Sequence, residues 1–139
     1  MNITLTGASG FLGKRLIAQL LSEGHTLHMA GRAAPADLAS SMAFSQWPST
    51  SSAFPQEALR AADAVIHLTG EPVAQRWSEE VKGRIRSSRV EGTQKLVEAM
   101  ADSGRRPAAL VCASATGFYG DRGDEILTEE SRSGAGFLA

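Results

Sequence analysis

Residues Ile3–Gly13 read ITLTGASGFLG. The run before Gly7 is short, apolar and β-branched, the composition of a buried strand. Gly7, Gly10 and Gly13 follow at intervals of three, and from Phe11 the pattern turns helical: Leu12, Leu16 and Leu20 share one face, which Ile17 and Leu21 widen. A strand that passes through a glycine turn into a helix presents free backbone N–H groups and the positive end of the helix dipole at one point. Gly7 lets the chain turn, Gly10 lets a phosphate approach the backbone, and Gly13 lets the helix pack close to the strand. The pattern predicts a seat for a dinucleotide pyrophosphate, with Gly7, Ser9, Gly10, Phe11, Leu12 and Gly13 around it. A glycine-rich turn kept for packing alone is the competing reading.

The rest of the chain continues the alternation of strand and helix. The first strand is predicted over Asn2–Thr6, the first helix over Phe11–Glu23 with Gly24 as its stop, and a second strand over His25–Ala30. Ala33–Ser41 reads as loop or short helix, Met42–Ser45 as a brief strand, Trp47–Pro55 as loop, and Gln56–Ala62 as a short helix. Ala64–Leu68 is a strand built on Val65 and Ile66. Ser78 is the predicted N-cap of a long helix that runs to about Asp102, with Glu79 and Glu80 in its first turn and Gly83 and Gly92 weakening its middle. Ala108–Ala113 is a fifth strand, and the glycine-rich remainder reads as loop. This order implies an α/β fold, a doubly wound parallel sheet with helices on both faces.

In such a sheet ligands lie beyond the C-terminal ends of the strands, at the point where the strand order reverses. Leu68, Thr69 and Gly70 follow the fourth strand and are placed to meet a cofactor. His67 is read as a packed strand residue. The end of the second strand separates two cofactors. An acidic residue roughly 20 positions past the glycines would bond the ribose 2′-hydroxyl of NAD. Here Ala30, Gly31 and Arg32 stand there, and Arg32 suits the 2′-phosphate of NADP through its planar fork. The expected cofactor is therefore NADP, with NAD as the alternative, which Asp37 in the following loop would serve. Lys82, Arg84, Arg86 and Arg89 crowd one stretch of the long helix. A solvated face is the preferred reading, and one or two side chains reaching the cleft to hold an anion is the other.

Bulk properties narrow the classes. The chain has 139 residues, enough for one domain with a core. A formal net charge of −1 gives no global attraction to nucleic acid or anionic membranes. The apolar runs are too short to span a bilayer, and no basic leader precedes the first strand. Cys112 is the single cysteine, so an internal disulfide and a thiolate zinc site are excluded. The acidic loop Asp121–Asp124 lacks the spacing of a calcium loop, and no metal is expected. The expected location is cytoplasmic.

TGASGFLG, DAVIHLTG, EGTQKLVEAM and SATGFYG, in this order, resemble an extended short-chain dehydrogenase/reductase. More narrowly, Gly70-Glu71-Pro72-Val73 with RWSEEVKGRIRSSRVEGT and SATGFYGDRGDE is similar to the atypical, epimerase-like subgroup of the NAD-dependent epimerase/dehydratase family. The resemblance implies a Rossmann-type sheet in the order 3-2-1-4-5 and hydride transfer between a nicotinamide and a substrate carbon, on a nucleotide sugar or a small carbonyl compound. It implies a Tyr-x-x-x-Lys pair as acid/base with a serine to orient the substrate. Ser114 matches that serine. Phe137 lies near the place of the tyrosine, and the matching lysine position would fall beyond Ala139. Tyr119, the single tyrosine, is the remaining candidate. The family's asparagine in the long helix is replaced by Arg89.

Members of that family run to about twice this length. Residues 1–139 are accordingly expected to form an incomplete NAD(P)-binding domain that stops before the last strands and the substrate-binding part, with the fifth strand left without cover. Such a chain is expected to turn over little, and a homodimer is expected only of a full-length form. The expected partners are a dinucleotide and a small-molecule substrate. A dinucleotide-binding module or sensor without catalysis is the alternative function.

Overall fold

The structure is a computed structural model, and it describes residues 1–35 and 39–139. Asp37, the candidate ribose acid, lies outside the described residues. Among the described residues, five strands, β1 (Asn2–Thr6), β2 (Thr26–Gly31), β3 (Met42–Gln46), β4 (Ala64–His67) and β5 (Ala109–Cys112), and two α-helices, α1 (Phe11–Ser22) after β1 and α2 (Glu79–Asp102) after β4, make up the fold. All pairings are parallel, as the pattern of elements predicts, and the order is β3-β2-β1-β4-β5, as the family resemblance implies. β1 pairs with β2 on one side and with β4 on the other, so the connections leave these neighbours in opposite directions and a crevice opens above their C-terminal ends.

The first helix ends one residue earlier, and the second strand starts one residue later, than the pattern predicts. Gly24 takes φ +78°, its N–H bonds to the Leu21 carbonyl, and the His25 N–H bonds to the Leu20 carbonyl. This paired closure spends the His25 amide on the helix end, which removes His25 from the strand. Gln56–Ala62 also differs: only Gln56–Ala58 is helical, as a tight 3-10 turn. The amides of Ala58, Leu59 and Ala62 each bond three residues back, and Asp63 is already tied to Asn2 at the start of the sheet. The glycine-rich tail contains a second such turn at Thr116–Tyr119.

One core cluster lies on the α2 side of the sheet, while Ile3, Leu5, Leu27 and Met29 are buried on the other face. Trp47, Leu59, Val65 and Leu96, all at most 1% exposed, pack with Ala30, Phe54, Ala58 and Ala99. Each fully buried apolar side chain of this size contributes about 2 kcal/mol. Ser78 caps α2 by accepting the Val81 N–H at 3.2 Å, and the helix runs unbroken through Gly83 and Gly92. At Gly92 the helix faces the loop after β3, where a Cβ would stand in ordinary contact with Ser49, 3.4 Å from its Cβ. The α1 stripe is only partly covered. Gly13 is its one buried residue, and Leu12 remains 56% exposed.

Candidate functional site

The glycine turn is fixed by its neighbours. Gly7 adopts φ +73°, a left-handed conformation, and a Cβ there would stand 2.7 Å from the carbonyl carbon and oxygen of Leu68. Gly13 is equally enclosed, since its Cβ would meet the Ala8 carbonyl oxygen at 2.7 Å. The Gly10 N–H closes the turn on the Gly7 carbonyl at 3.0 Å. Gly10 is the N-cap of α1, and no side chain caps the helix and no acidic residue occupies its first turn. The donors of that turn are thus left for something other than the helix's own side chains.

A cavity of about 840 Å³ opens at this turn. It runs from Gly7, Ser9 and Gly10 past Arg32 and Trp47 to Leu68, Thr69 and Gly70, and α2 closes it with Arg84, Ser87 and Ser88. The volume is in the range of small-molecule and cofactor sites. Seven of the predicted positions therefore share one wall, Gly7, Ser9, Gly10, Arg32, Leu68, Thr69 and Gly70. Phe11, Leu12 and Gly13 lie on α1 behind the turn, with Phe11 84% exposed. Ser114 and Tyr119 are outside the cavity among the described residues. Ser114 is exposed just past β5, and Tyr119 packs edge-on against Phe118 with centroids 5.1 Å apart.

The β4 loop is bound to α2 at every polar group of one residue. Glu71 gives its N–H to Oγ of Ser88 at 2.9 Å, its carbonyl accepts from Nη1 of Arg89 at 2.9 Å, and its carboxylate lies 3.6 Å from Nε of Arg84. Arg89 is exposed, yet its guanidinium is held by the Glu71 carbonyl and lies against Gly70, outside the cavity wall. Lys82 pairs with Glu79 at 2.8 Å, and Arg84 reaches the cavity wall while also bonding Glu80 at 2.6 Å.

His67 is a structural node. Its Nδ1 lies 2.7 Å from Oγ1 of Thr6 and its Nε2 lies 3.2 Å from Oγ1 of Thr93, which ties β1, β4 and α2 together. Burial holds its imidazole below the ordinary value of 6.5. His28 is held down too, because burial outweighs the attraction of Glu57. Trp77 gives its N–H to the Val73 carbonyl at 2.8 Å and packs on Phe137, so it is a packing residue.

Sequence reasoning missed Lys14, Trp47, Ser87 and Ser88 in the wall. Lys14 had a signal: it lies four residues past Gly10, one helical turn beyond the N-cap. Trp47 sits in a stretch whose Ser and Pro content marks only a loop, and the two serines carry no pattern of their own.

The parallel sheet with a glycine turn at its point of reversal defines a doubly wound α/β protein of the dinucleotide-binding type of architecture. The sequence profile described as the NAD dependent epimerase/dehydratase family matches residues 3–136, and the chain belongs to that family. It is 35% identical over 131 residues to an epimerase family protein, YfhF, of Bacillus subtilis, covering 94% of this chain and 43% of that one. It is 38% identical over 138 residues to the epimerase family protein Mb2239 of Mycobacterium bovis, covering 99% of this chain and 44% of the relative. The chain thus spans less than half the length of these relatives. Among solved structures, human epimerase family protein SDR39U1 with NADPH superposes with a TM-score of 0.78 at 24% identity, over 99% of this chain and 45% of the human one. MoeE5 in complex with UDP-glucuronic acid and NAD gives 0.79 at 24% identity, over 96% and 42%. No helix among the described residues is long and apolar enough to cross a membrane.

Proposed function

We propose that residues 1–139 form the NADP-binding unit of an epimerase- or reductase-like oxidoreductase. The observation that carries this reading is the single cavity that joins the Gly7–Gly10 turn to Arg32 and to the Leu68–Gly70 loop. The donor set suits the group. Main-chain N–H groups at the start of α1 would hold the pyrophosphate, and Gly7 and Gly13 let the turn close tightly on the Leu68–Thr69 backbone and on the start of α1. Arg32 in the wall would take the 2′-phosphate, and the backbone of Thr69 and Gly70 would border the nicotinamide half. The bound nicotinamide supplies hydride chemistry. Ser114 and Tyr119, on the β5 side, would orient the substrate and move its proton. A nucleotide sugar or a small carbonyl compound is the substrate class, in keeping with the UDP-sugar complexes of MoeE5. The free thiol of Cys112 suits a reducing, cytoplasmic setting.

The test is a titration with NADPH and NADH, followed by tryptophan fluorescence. NADPH is expected to bind more tightly. Arg32→Ala should weaken NADPH about tenfold, the worth of a charge-assisted contact, and leave NADH unchanged. Equal or tighter NADH binding by the unaltered chain would refute the NADP preference.

A second reading, a dinucleotide-binding module without catalysis, is favoured by one observation: Ser114 and Tyr119 stand apart from the cavity wall. A protein carrying the remaining family segments that exchanges no hydride with any carbonyl or sugar-nucleotide substrate would support it.

A further inference from the structure

Among the described residues, the cavity wall carries three cations, Lys14, Arg32 and Arg84, against one carboxylate, Glu71. The three are not equivalent. Arg84 is shared between two carboxylates, with Nε 3.6 Å from Glu71 and Nη1 2.6 Å from Glu80. Lys14 and Arg32 form no ion pair with any described residue. Two charges of the wall are therefore left to meet an anion from outside the chain.

The fold brings these two charges to the same end of the cavity. α1 packs on β2, and the half-buried Ile17 of α1 lines the cavity together with Met29 of β2. Lys14 precedes Ile17 by three residues and so shares that face of the helix. The helix of a β-α-β unit runs back against its strands, so its first turn stands at their C-terminal ends. Helical side chains lean toward the helix N-terminus. Lys14 thus leans toward the end of β2, where Arg32 follows Gly31.

We infer that Lys14 is the second cation of the 2′-phosphate site and, together with Arg32, sets the preference for NADPH over NADH. This rests on the NADP-binding reading above and adds to it a residue that determines specificity. A phosphate monoester carries a charge of about −1.5 to −2 at neutral pH and presents three acceptor oxygens. The planar fork of Arg32 spans two of them, and the compact ammonium of Lys14 takes the third. The pyrophosphate has donors of its own, the main-chain N–H groups of the first α1 turn.

The experiment titrates NADPH and NADH, by tryptophan fluorescence, into the unaltered chain, Lys14→Gln and Lys14→Arg. Lys14 is exposed, so both variants should keep the Tm of the unaltered chain. Lys14→Gln should weaken NADPH about fivefold and NADH less than about twofold, the worth of one solvent-screened charge pair. Lys14→Arg, which keeps the charge, should retain the preference. Adenosine 2′,5′-bisphosphate should lose the same factor in Lys14→Gln, and adenosine 5′-monophosphate should lose nothing. An undiminished NADPH preference in Lys14→Gln would overturn the inference while the NADP reading stands. So would an equal loss for both dinucleotides, which would put the ammonium on the pyrophosphate. If the unaltered chain binds NADH as tightly as NADPH, or binds neither, the NADP reading falls and takes the inference with it.

Discussion

The β3-β2-β1 side of the sheet and its β5 side are built to different standards. At the first, the glycine turn, Arg32 and Trp47 stand at the ends of strands whose inner residues Leu5, Leu27 and Met29 are 0% exposed. At the second, all four residues of β5 are exposed, Val111 at 55%, and Ser114 and Tyr119 follow outside the cavity. The groups suited to holding a nucleotide are thus anchored in packed structure, and the candidates for moving a proton are not. Binding a dinucleotide draws on short-range features, one turn and the strand ends beside it. Proton transfer needs a side chain fixed to within fractions of an ångström.

The largest expected effect tests the packed side. Gly7→Ala places a Cβ against the Leu68 backbone in a left-handed conformation, and should cost about 3 kcal/mol or more in denaturant unfolding and abolish NADPH binding. Unchanged stability with retained binding would break the contrast at its strongest point. Next comes a matched pair. Leu96→Ala, at a site 0% exposed, should cost about 3 kcal/mol, whereas Val111→Ala on β5 should cost under about 1 kcal/mol. Equal losses would show that the two sides are equally packed.

A smaller effect comes from pH. Burial holds both His28 and His67 below 6.5 in the fold, so the unfolded chain takes up protons first as pH falls. Stability should be full above about pH 6.5 and decline as the pH drops toward the folded values. His67→Gln should flatten that decline in a series of urea melts, and a decline of the same slope would assign it to other groups. Smallest of all, Ser114→Ala and Tyr119→Phe should leave NADPH affinity within about twofold, by the same fluorescence titration. A tenfold loss in either would place that side chain on the nucleotide and dissolve the distinction between the two sides.

Most of the architecture was legible because it follows from local patterns. Strands and helices announce themselves by period, Gly24 and Ser78 mark helix ends, and the order of elements implies the parallel sheet. Legibility failed where a residue's fate depends on a distant one. His25 leaves its strand because Leu20 takes its amide, and the exposed Arg89 folds its guanidinium onto the Glu71 carbonyl because Gly70 has room for it. The glycine turn and Arg32 could be found from spacing. Trp47 could not, since nothing in QWPST says that the indole is sealed beside Arg32 with its N–H unspent. The leucine stripe of α1 is plain in the sequence, but a pattern does not reveal how much of it the fold covers.

The contact between Gly7 and the β4 loop has a genetic consequence. The three atoms nearest a Cβ at position 7 are all main chain, the carbonyl carbon and oxygen of Leu68 and the amide nitrogen of Thr69. Every amino acid supplies those same atoms. No replacement of the Leu68 or Thr69 side chain removes the obstruction, so a selection for revertants of Gly7→Ala should return glycine at position 7 and no suppressors at these two positions.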